Sequence, residues 1–198
     1  MEIDLINECN EPLRVLFFDF EQNPKQLYNR YPNYNEVFGD NFYLVTAIDE
    51  PFLNQEIIEL YLDAINPQLL IIDNLSAIDV GDDITKPAVA TQFIQMILRL
   101  RNKYNITVIL VSHHTKASIG GLPEINHISG GKAITNLADT ILQFGQINNT
   151  TFIRQNKSRF AEKDDKKLLL LKVERNDPTE NLRINTMGWA TERELNKP

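Results

Sequence analysis

Four short apolar segments, separated by stretches with helical periodicity, constrain the fold of this chain more than any other feature. The segments are residues 14–20, 42–46, 69–73 and 106–111. Their aliphatic, β-branched and aromatic content is typical of strands buried on both faces of a sheet. Helical periodicity lies between them, at residues 24–31, 53–65 and 87–104. This alternation predicts right-handed βαβ units, and hence an α/β fold with a mainly parallel sheet flanked by helices.

The last third of the chain has a different pattern. A short helix is predicted over residues 131–138 and a fifth strand over residues 140–144. Two further strand-like segments, residues 151–155 and 168–173, are separated by a charged stretch and predict an antiparallel hairpin. We expect one domain over residues 1–198, with this C-terminal hairpin, residues 150–186, as its extension. Trp189 is interpreted either as a core residue or as a packing anchor.

The composition excludes several classes of protein. Hydrophobic residues make up 42% of the chain and charged residues 24%, which is typical of a folded globular protein. No apolar run reaches the roughly 20 residues that span a bilayer, and the acidic N-terminus does not resemble a secretory signal. The single cysteine, Cys9, cannot form an internal disulfide or a cysteine-rich zinc site. We expect a cytoplasmic protein with no membrane partner.

The net charge of −7 conceals a division between the two halves of the chain. Residues 1–100 carry 5 basic and 17 acidic side chains, a net charge of −12, whereas residues 101–198 carry 15 basic and 10 acidic ones, a net charge of +5. The overall charge disfavours binding to nucleic acid through bulk charge alone. The asymmetry is compatible with a side that faces a polyanion, and equally with an uneven scatter of charges.

Polar residues follow three of the predicted strands. Strand one has Asp19 near its end and Glu21 just after it. Strand three ends in Asp73, which Asn74 follows, and strand four is followed by His113 and His114. Ligands of parallel sheets bind at the carboxyl ends of the strands. One carboxylate there can hold hydrated Mg²⁺ against phosphate oxygens, and a second can orient an attacking water. A single strand-end acid is more simply a solvated or capping residue, but the ordered set favours a functional site.

Other chemistries are less well supported. His113 and His114 are adjacent on a strand end and point to opposite faces, which disfavours a shared zinc ion. The chain contains no Gly-x-Ser-x-Gly sequence and no Gly-x-Gly-x-x-Gly sequence, so a serine hydrolase of that type and a dinucleotide-binding fold are both disfavoured.

The order of these segments resembles the RecA-like ATPases, in the branch that includes the RepA, DnaB, KaiC and RadA-type proteins. VLFFDFE at residues 15–21 is similar to the strand that ends in the family's catalytic glutamate, and LLIIDNLSAI at residues 69–78 to its Walker B strand. VILVSHHT at residues 108–115 is similar to the strand that senses the γ-phosphate. RQNKSRF at residues 154–160 is similar to the Lys-x-Arg finger that reaches a neighbouring subunit. The resemblance covers about residues 13–175.

The resemblance implies a role for each matching residue, with ATP and Mg²⁺ as cofactors. Glu21 would polarise the attacking water. Asp73, beside Asn74, would hold Mg²⁺ through water, and His113 or His114 would sense the γ-phosphate. Lys157 and Arg159 would stabilise charge at a neighbouring subunit's nucleotide. Residues 116–127 correspond to the family's DNA-facing loop, and the SGGKAI segment at residues 129–134 is similar to the segment that follows this loop. The residues implied to face DNA there are Lys116, Ser118, Gly120, Gly121 and Lys132.

The chain departs from the family in its first motif. No Gly-x-x-x-x-Gly-Lys followed by Ser or Thr occurs, although backbone amides and the lysine of that loop cradle the phosphates. The nearest match, around Gly131 and Lys132, has Asn126 in place of the first glycine and Ala133 in place of the hydroxyl residue.

The motif would belong before Val15, where fewer residues lie than the roughly 30 of a strand, P-loop and helix. We therefore expect an N-terminally incomplete RecA-like domain that lacks its P-loop strand and hydrolyses ATP poorly on its own. Three explanations are open: a gene start placed too late, a truncated gene of a mobile element, or a companion subunit that contributes its finger residues to other subunits.

The resemblance thus implies the ATPase core of a DNA replication or repair helicase, or of a mobile-element protein. Such a protein would couple ATP hydrolysis to the binding or translocation of single-stranded DNA within a homo-oligomeric ring or filament. The alternative is a non-enzymatic DNA-binding or assembly subunit. Its support is the absent P-loop and the surplus of basic residues between residues 151 and 175, which carry 8 basic and 4 acidic side chains. Arg175 is either a second finger or the solvated end of the hairpin.

Overall fold

A parallel sheet forms the centre of the computed structural model, which describes residues 11–84, 86–113, 131–160 and 167–195. Its strands are β1 (Val15–Asp19), β2 (Phe42–Thr46), β3 (Leu69–Asp73) and β4 (Thr107–Leu110), in the order β2-β1-β3-β4. All three pairings are parallel. The four apolar segments therefore form the predicted strands, and the α/β fold with a parallel sheet is confirmed.

Six helices accompany the strands in the described part of the chain. They are α1 (Pro24–Arg30), α2 (Tyr34–Phe38), α3 (Gln55–Ile65), α4 (Pro87–Tyr104), α5 (Gly131–Leu137) and α6 (Glu192–Leu195). Four of them, α1, α3, α4 and α5, coincide with predicted helices to within two residues at each end. The short helices α2 and α6 were not predicted, since five and four residues are too few to show a helical period.

Side-chain caps and left-handed residues set the limits of the predicted helices. The Asn23 side chain accepts a hydrogen bond from the Gln26 amide at 3.0 Å, and the Gln26 side chain accepts one from the Asn23 amide at 2.9 Å. This reciprocal capping box starts α1 immediately after the turn that follows β1. Asn66 caps the C-terminal end of α3, and Asn105 caps that of α4. Both residues adopt the left-handed conformation that asparagine tolerates.

The main core lies between one face of the parallel sheet and helices α3 and α4. The largest sheet residues in it, Leu16, Phe18, Leu70 and Ile72, are fully buried. They pack with side chains of the two helices, namely Ile58, Leu62, Phe93, Ile94, Ile97 and Leu100. Burial of each such side chain stabilises the fold by about 1.5–3 kcal/mol, so this layer holds the strand ends in a fixed relation to one another.

A second, antiparallel sheet follows in the chain. Its strands are β5 (Thr140–Ile147), β6 (Thr150–Ser158), β7 (Lys167–Glu174) and β8 (Arg183–Thr191), paired in sequence order. The predicted hairpin corresponds to the β6–β7 pair. The sheet is larger than the hairpin, because β5 pairs antiparallel with β6 and β8 adds a fourth strand. Strand β8 lacks clear alternation, and a register shift at Leu170/Leu171 interrupts its pairing with β7.

The two sheets are connected through α5 and Asp139, the second residue after it. Ile134 and Leu137 of α5 pack against the main core. The Asp139 carboxylate accepts hydrogen bonds from Arg101 at 2.8 Å and from Arg159 at 2.9 Å, so it joins α4 to the end of β6. Within the ranges given above, no helix has the length and apolar character needed to cross a membrane.

The second sheet contains one close approach that requires a glycine. A Cβ atom placed on Gly145 would lie 2.4 Å from Cζ of Phe152, which is fully buried in the neighbouring strand β6. We expect Gly145→Ala to lower the free energy of unfolding by about 1–3 kcal/mol, because the buried ring must move. Urea denaturation measures the loss. Gln146→Ala, at the next and exposed position of β5, should change stability by less than about 0.5 kcal/mol. Equal stability of the two variants would contradict the prediction.

Candidate functional site

The carboxyl ends of β1 and β3 bring two aspartates to the same level of the sheet. Asp19 and Asp73 are direct partners in the parallel register. The Asp19 side chain is buried and accepts hydrogen bonds from the amides of Glu21 at 3.0 Å and Gln22 at 2.8 Å. Asp19 therefore shapes the turn after β1, and this turn places Glu21 beside the end of β3.

Asn74 connects the ends of three strands. Its buried side chain donates from Nδ2 to Glu21 Oε2 at 2.7 Å, and the same nitrogen lies 3.0 Å from His113 Nε2. Its Oδ1 accepts from the amide and hydroxyl of Ser76, at 2.9 and 2.7 Å, and from the Ala77 amide at 3.1 Å. With both ends of the amide engaged, Asn74 fixes the Glu21 carboxylate and the His113 ring relative to β3.

His113 completes this group from the end of β4. Its Nε2 lies 3.2 Å from Glu21 Oε2, and its side chain is 59% exposed. When the ring carries its proton on Nδ1, Nε2 accepts a hydrogen bond from Asn74; when Nε2 is protonated, it donates to Glu21. The Nε2 atom therefore has a partner in either tautomer of the ring. Of the two histidines predicted as sensors, His113 lies at the site and His114 falls outside the described residues.

The hydrogen bond from Asn74 lowers the pKa of the Glu21 carboxyl below its ordinary value, against the opposing effect of partial burial. The hydrogen bond and charge of His113 and the charge of Arg30 lower this pKa further. Glu21 is therefore ionised at neutral pH, and its side chain is 47% exposed. An ionised and accessible carboxylate, held by one of its oxygens, can orient a water molecule and accept a proton from it.

Asp73 has the opposite electrostatic environment. Burial raises the pKa of its carboxyl, and the negative charges of Asp19 and Glu21 raise it further, while His113 and Arg30 act in the other direction. Its Oδ1 is buried and has no hydrogen-bond partner among the described residues. A buried, unpartnered carboxylate oxygen is costly, and a cation or its bound water is the usual partner for such an atom.

These residues fit a metal ion held mainly through water. No group of three or more His, Cys, Asp or Glu side chains within the described residues is arranged to bind a metal directly. Mg²⁺ in nucleotide sites commonly keeps several waters and takes only one or two protein carboxylates, together with phosphate oxygens. The free Oδ1 of Asp73 suits that mode of binding, in agreement with the role that the family resemblance implies.

The two predicted finger residues lie elsewhere, at the C-terminal end of α5. Lys157 Nζ donates to the backbone oxygens of Thr135 at 2.8 Å and Asn136 at 2.9 Å. Arg159 donates to the Asn136 oxygen at 2.8 Å and to Asp139. Both side chains thus bind the exposed carbonyls of a helix end. Their predicted action on a neighbouring subunit's nucleotide stays a prediction.

The remaining predicted residues are outside the site or outside the described residues. Lys116, Ser118, Gly120 and Gly121 lie outside the described part of the chain, so the DNA-facing loop stays a prediction. Lys132 is the second residue of α5, and its side chain is not described. Arg175 lies after β7, where its Nη1 donates to the Asn29 backbone oxygen at 2.6 Å.

Comparison with known families agrees with this geometry. An α/β protein with carboxylates at adjoining ends of parallel strands belongs to a class that commonly binds phosphorylated ligands there. The sequence model of one family, described as an AAA domain, matches residues 4–118, which is more than half of the chain. The chain therefore belongs to the AAA domain family of P-loop-type ATPases, a family that uses nucleotide and Mg²⁺ in general. No curated protein matches the chain.

Two residues that act on the site, one through hydrogen bonds and one through its charge, were not identified as functional from the sequence. Asp19 was visible as a strand-end acid, but its position as the organiser of the Glu21 turn depends on hydrogen bonds that only the fold forms. Arg30 was not singled out, although it is one of only five basic residues in the acidic first half of the chain. That scarcity is the signal that could have drawn attention to it.

The raised pKa of Asp73 leads to a prediction about stability. Because the carboxyl binds its proton more tightly in the folded state, its contribution to stability is present below the unfolded pKa of 3.8 and is lost as pH rises through the folded pKa. We expect Asp73→Asn to increase the free energy of unfolding at pH 7 by on the order of 1 kcal/mol. Below about pH 4 the two proteins should be equally stable.

Urea denaturation at the two pH values checks this expectation. Asp40→Asn removes one exposed carboxylate elsewhere and serves as the matched control, with little change expected at pH 7. An Asp73→Asn protein that is less stable than the wild type at pH 7 would show that the carboxylate is stabilising in the folded state.

Proposed function

We propose that this chain is a cytoplasmic RecA-like ATPase core that acts on DNA in replication, repair or the maintenance of a mobile element. It would place Mg·ATP at the carboxyl ends of β1, β3 and β4. The observation that carries the proposal is the group formed by Glu21, Asn74 and His113 beside the unpartnered Oδ1 of Asp73. Membership of the AAA domain family supports the nucleotide-binding part of the proposal.

The residues of this group divide the chemistry between them. Glu21 is ionised and orients the attacking water as its general base. Asp73 holds the hydrated metal, which when bound neutralises charge on the phosphate oxygens. Asn74 holds the Glu21 and His113 side chains in fixed positions. His113 responds to the terminal phosphate by changing the hydrogen-bond partner of its ring nitrogen.

Hydrolysis in this proposal depends on partners. Because the sequence contains no Gly-x-x-x-x-Gly-Lys-Ser/Thr, we propose that the chain alone turns over ATP slowly. In a homo-oligomeric ring or filament, Lys157 and Arg159 would exchange the carbonyls at the end of α5 for the phosphates of a neighbouring nucleotide. Such an exchange would replace two hydrogen bonds of Lys157 to carbonyls at the helix end, and the bonds of Arg159 to Asn136 and Asp139.

Binding of ATP tests the proposal. By isothermal titration calorimetry, we expect the wild-type chain to bind ATP saturably and Mg²⁺ to strengthen binding. Asp73→Asn should remove most of the strengthening by Mg²⁺, about tenfold in affinity. Glu21→Gln should leave affinity within about twofold, because glutamine preserves the acceptor for Asn74 and Glu21 acts on water rather than on the metal.

Two results would count against this function. The first is a wild-type chain that shows no saturable binding at millimolar ATP. The second is an Asp73→Asn protein that keeps the full effect of Mg²⁺. Rapid Mg²⁺-dependent hydrolysis by the chain alone would contradict the proposed dependence on partners.

A second candidate function, binding of single-stranded DNA by the antiparallel sheet, is favoured by a row of paired residues that has an exposed aromatic side chain at each end. Phe144, Ile153, Leu169 and Trp189 are successive partners across all four strands. The aromatic residues at its two ends, Phe144 and Trp189, are 60% and 56% exposed. Unpaired bases stack on exposed aromatic side chains of sheets, with about 1–3 kcal/mol per base.

Trp189 makes this function directly measurable, since it is the only tryptophan in the chain. We expect oligo(dT) to quench its fluorescence in the absence of ATP and duplex DNA to have a weaker effect. In anisotropy titrations with a labelled oligonucleotide, Trp189→Ala should weaken binding about 5- to 100-fold and Trp189→Phe much less. Met187→Ala, an exposed apolar change on the same strand, is the control. Equal effects of Trp189→Ala and Met187→Ala would contradict a stacking role.

A further inference from the structure

Helix α1 lies between the turn that carries Glu21 and the second sheet. It begins at Pro24, three residues after Glu21, and ends at Arg30. A helix of seven residues is marginal in water, because it forms too few backbone hydrogen bonds to offset the cost of nucleation. Leu27 is the one buried residue of this helix. Contacts at the two ends of α1 must therefore contribute much of what holds it in place.

The first end of α1 is continuous with the Glu21 turn. The Glu21 amide donates to Asp19, and the capping box of the helix begins at Asn23, so only one residue separates Glu21 from the cap. A displacement of the first turn of α1 therefore moves the Glu21 backbone. The side chain would then lose part of its 2.7 Å hydrogen bond from Asn74, which fixes the carboxylate at the site.

The last end of α1 is held by the connection between β7 and β8, residues 175–182. The Arg175 guanidinium donates to the Asn29 backbone oxygen at 2.6 Å, and the Leu182 amide donates to the Arg30 backbone oxygen at 3.1 Å. Both oxygens belong to the last turn of the helix, where carbonyls have no partner within the helix itself. A positive charge at a helix C-terminus is also favourable to the helix dipole. The connection thus supplies what the end of a short helix lacks.

The connection has internal structure that suits it to this task. The Asp177 carboxylate accepts hydrogen bonds from the Thr179 amide at 2.8 Å and from its hydroxyl at 2.6 Å, which closes a local turn. Beyond this turn, Asn181 Oδ1 accepts from the Asn33 amide at 3.1 Å. The connection therefore reaches both the end of α1 and the segment that follows it.

We propose that the β7–β8 connection positions the general base Glu21 through α1, with Arg175 as the positioning residue. The inference rests on the role of Glu21 in the proposed function, and it gives the second sheet a part in hydrolysis that needs neither DNA nor a neighbouring subunit. The sequence leaves Arg175 as a second finger or as the solvated end of a hairpin. Its bond to Asn29 instead gives it a role within its own chain.

The first test observes the hydrogen bond from Asn74 to Glu21 directly, without nucleotide. The side-chain amide signal of Asn74 in a nitrogen–proton NMR spectrum is assigned by its absence in Asn74→Asp, and Glu21→Ala gives its position when the bond is lost. We expect Arg175→Ala to shift this signal part of the way toward the Glu21→Ala position. Arg175→Lys should restore most of the wild-type position, because lysine can donate to the same helix-end carbonyl.

Two further variants separate positioning from loss of charge. Asn181→Ala removes a neutral contact of the same connection and should shift the Asn74 signal in the same direction as Arg175→Ala does. Arg183→Ala removes an exposed arginine from the first residue of β8 and should leave the signal unchanged.

The second test measures hydrolysis in a single turnover, with the protein in excess over Mg·ATP. Arg175→Ala should lower the rate about 2- to 10-fold, the range expected for loss of one hydrogen bond that supports the base. The affinity for ATP should stay within about twofold, since Glu21 acts on water rather than on the bound nucleotide. Arg175→Lys should recover most of the rate.

The two tests fail in different ways. An Asn74 signal that is unchanged in both Arg175→Ala and Asn181→Ala would overturn the inference, while ATP binding by the wild type would leave the proposed function standing. Equal losses of rate and of ATP affinity would show a general loss of structure and would also overturn it. If the wild type binds no ATP, the proposed function fails, and the inference that Glu21 acts as a positioned base fails with it. Thermal denaturation checks folding, and Asn181→Ala provides an independent measurement if Arg175→Ala does not fold.

Discussion

The hydrogen bonds of one buried side chain, Asn74, hold the candidate site together. Its amide joins Glu21 from the turn after β1, His113 from the end of β4 and Ser76 from its own loop. Because the Asn74 side chain is buried, its hydrogen-bond partners are difficult to replace with water, so the three strand ends behave as one unit. The core beneath, between the sheet and helices α3 and α4, gives this unit a rigid base.

The two carboxylates of the site, Glu21 and Asp73, have opposite electrostatic environments, and a bound cation would reduce the difference. Glu21 is stabilised as an anion by Asn74, whereas the Asp73 anion is disfavoured by burial and by its acidic neighbours. Two carboxylates in one site therefore have opposite tendencies, a pattern typical of sites that divide tasks between titratable groups. A hydrated cation would relieve the unfavourable charge of Asp73. In the proposed function, the cost in stability and the binding of the cation have the same origin.

Much of the fold could be predicted because its signals are local. The apolar runs of β1 and β3 and the helical pattern of α4 depend on neighbouring residues only, and the structure has these elements where the sequence predicts them. The second sheet was predicted only in part. Strand β8 contains Gly188 in a left-handed conformation and pairs with β7 across a register shift, so its alternation is irregular. The strand forms by pairing with β7 across the connection between them, so its own neighbouring residues do not determine it.

The sequence by itself determined that the chain forms a parallel sheet with acids at its strand ends, since apolar runs and the residues that follow them are properties of contiguous segments. It also determined the order of the motifs that place the chain among ATPases. Only the tertiary structure decided which polar groups meet. The contact of Asn74 with His113, the placement of Lys157 at the end of α5 and the contact of Arg175 with Asn29 join residues 21–146 positions apart. Such contacts arise from the packing of whole elements, which no local pattern encodes.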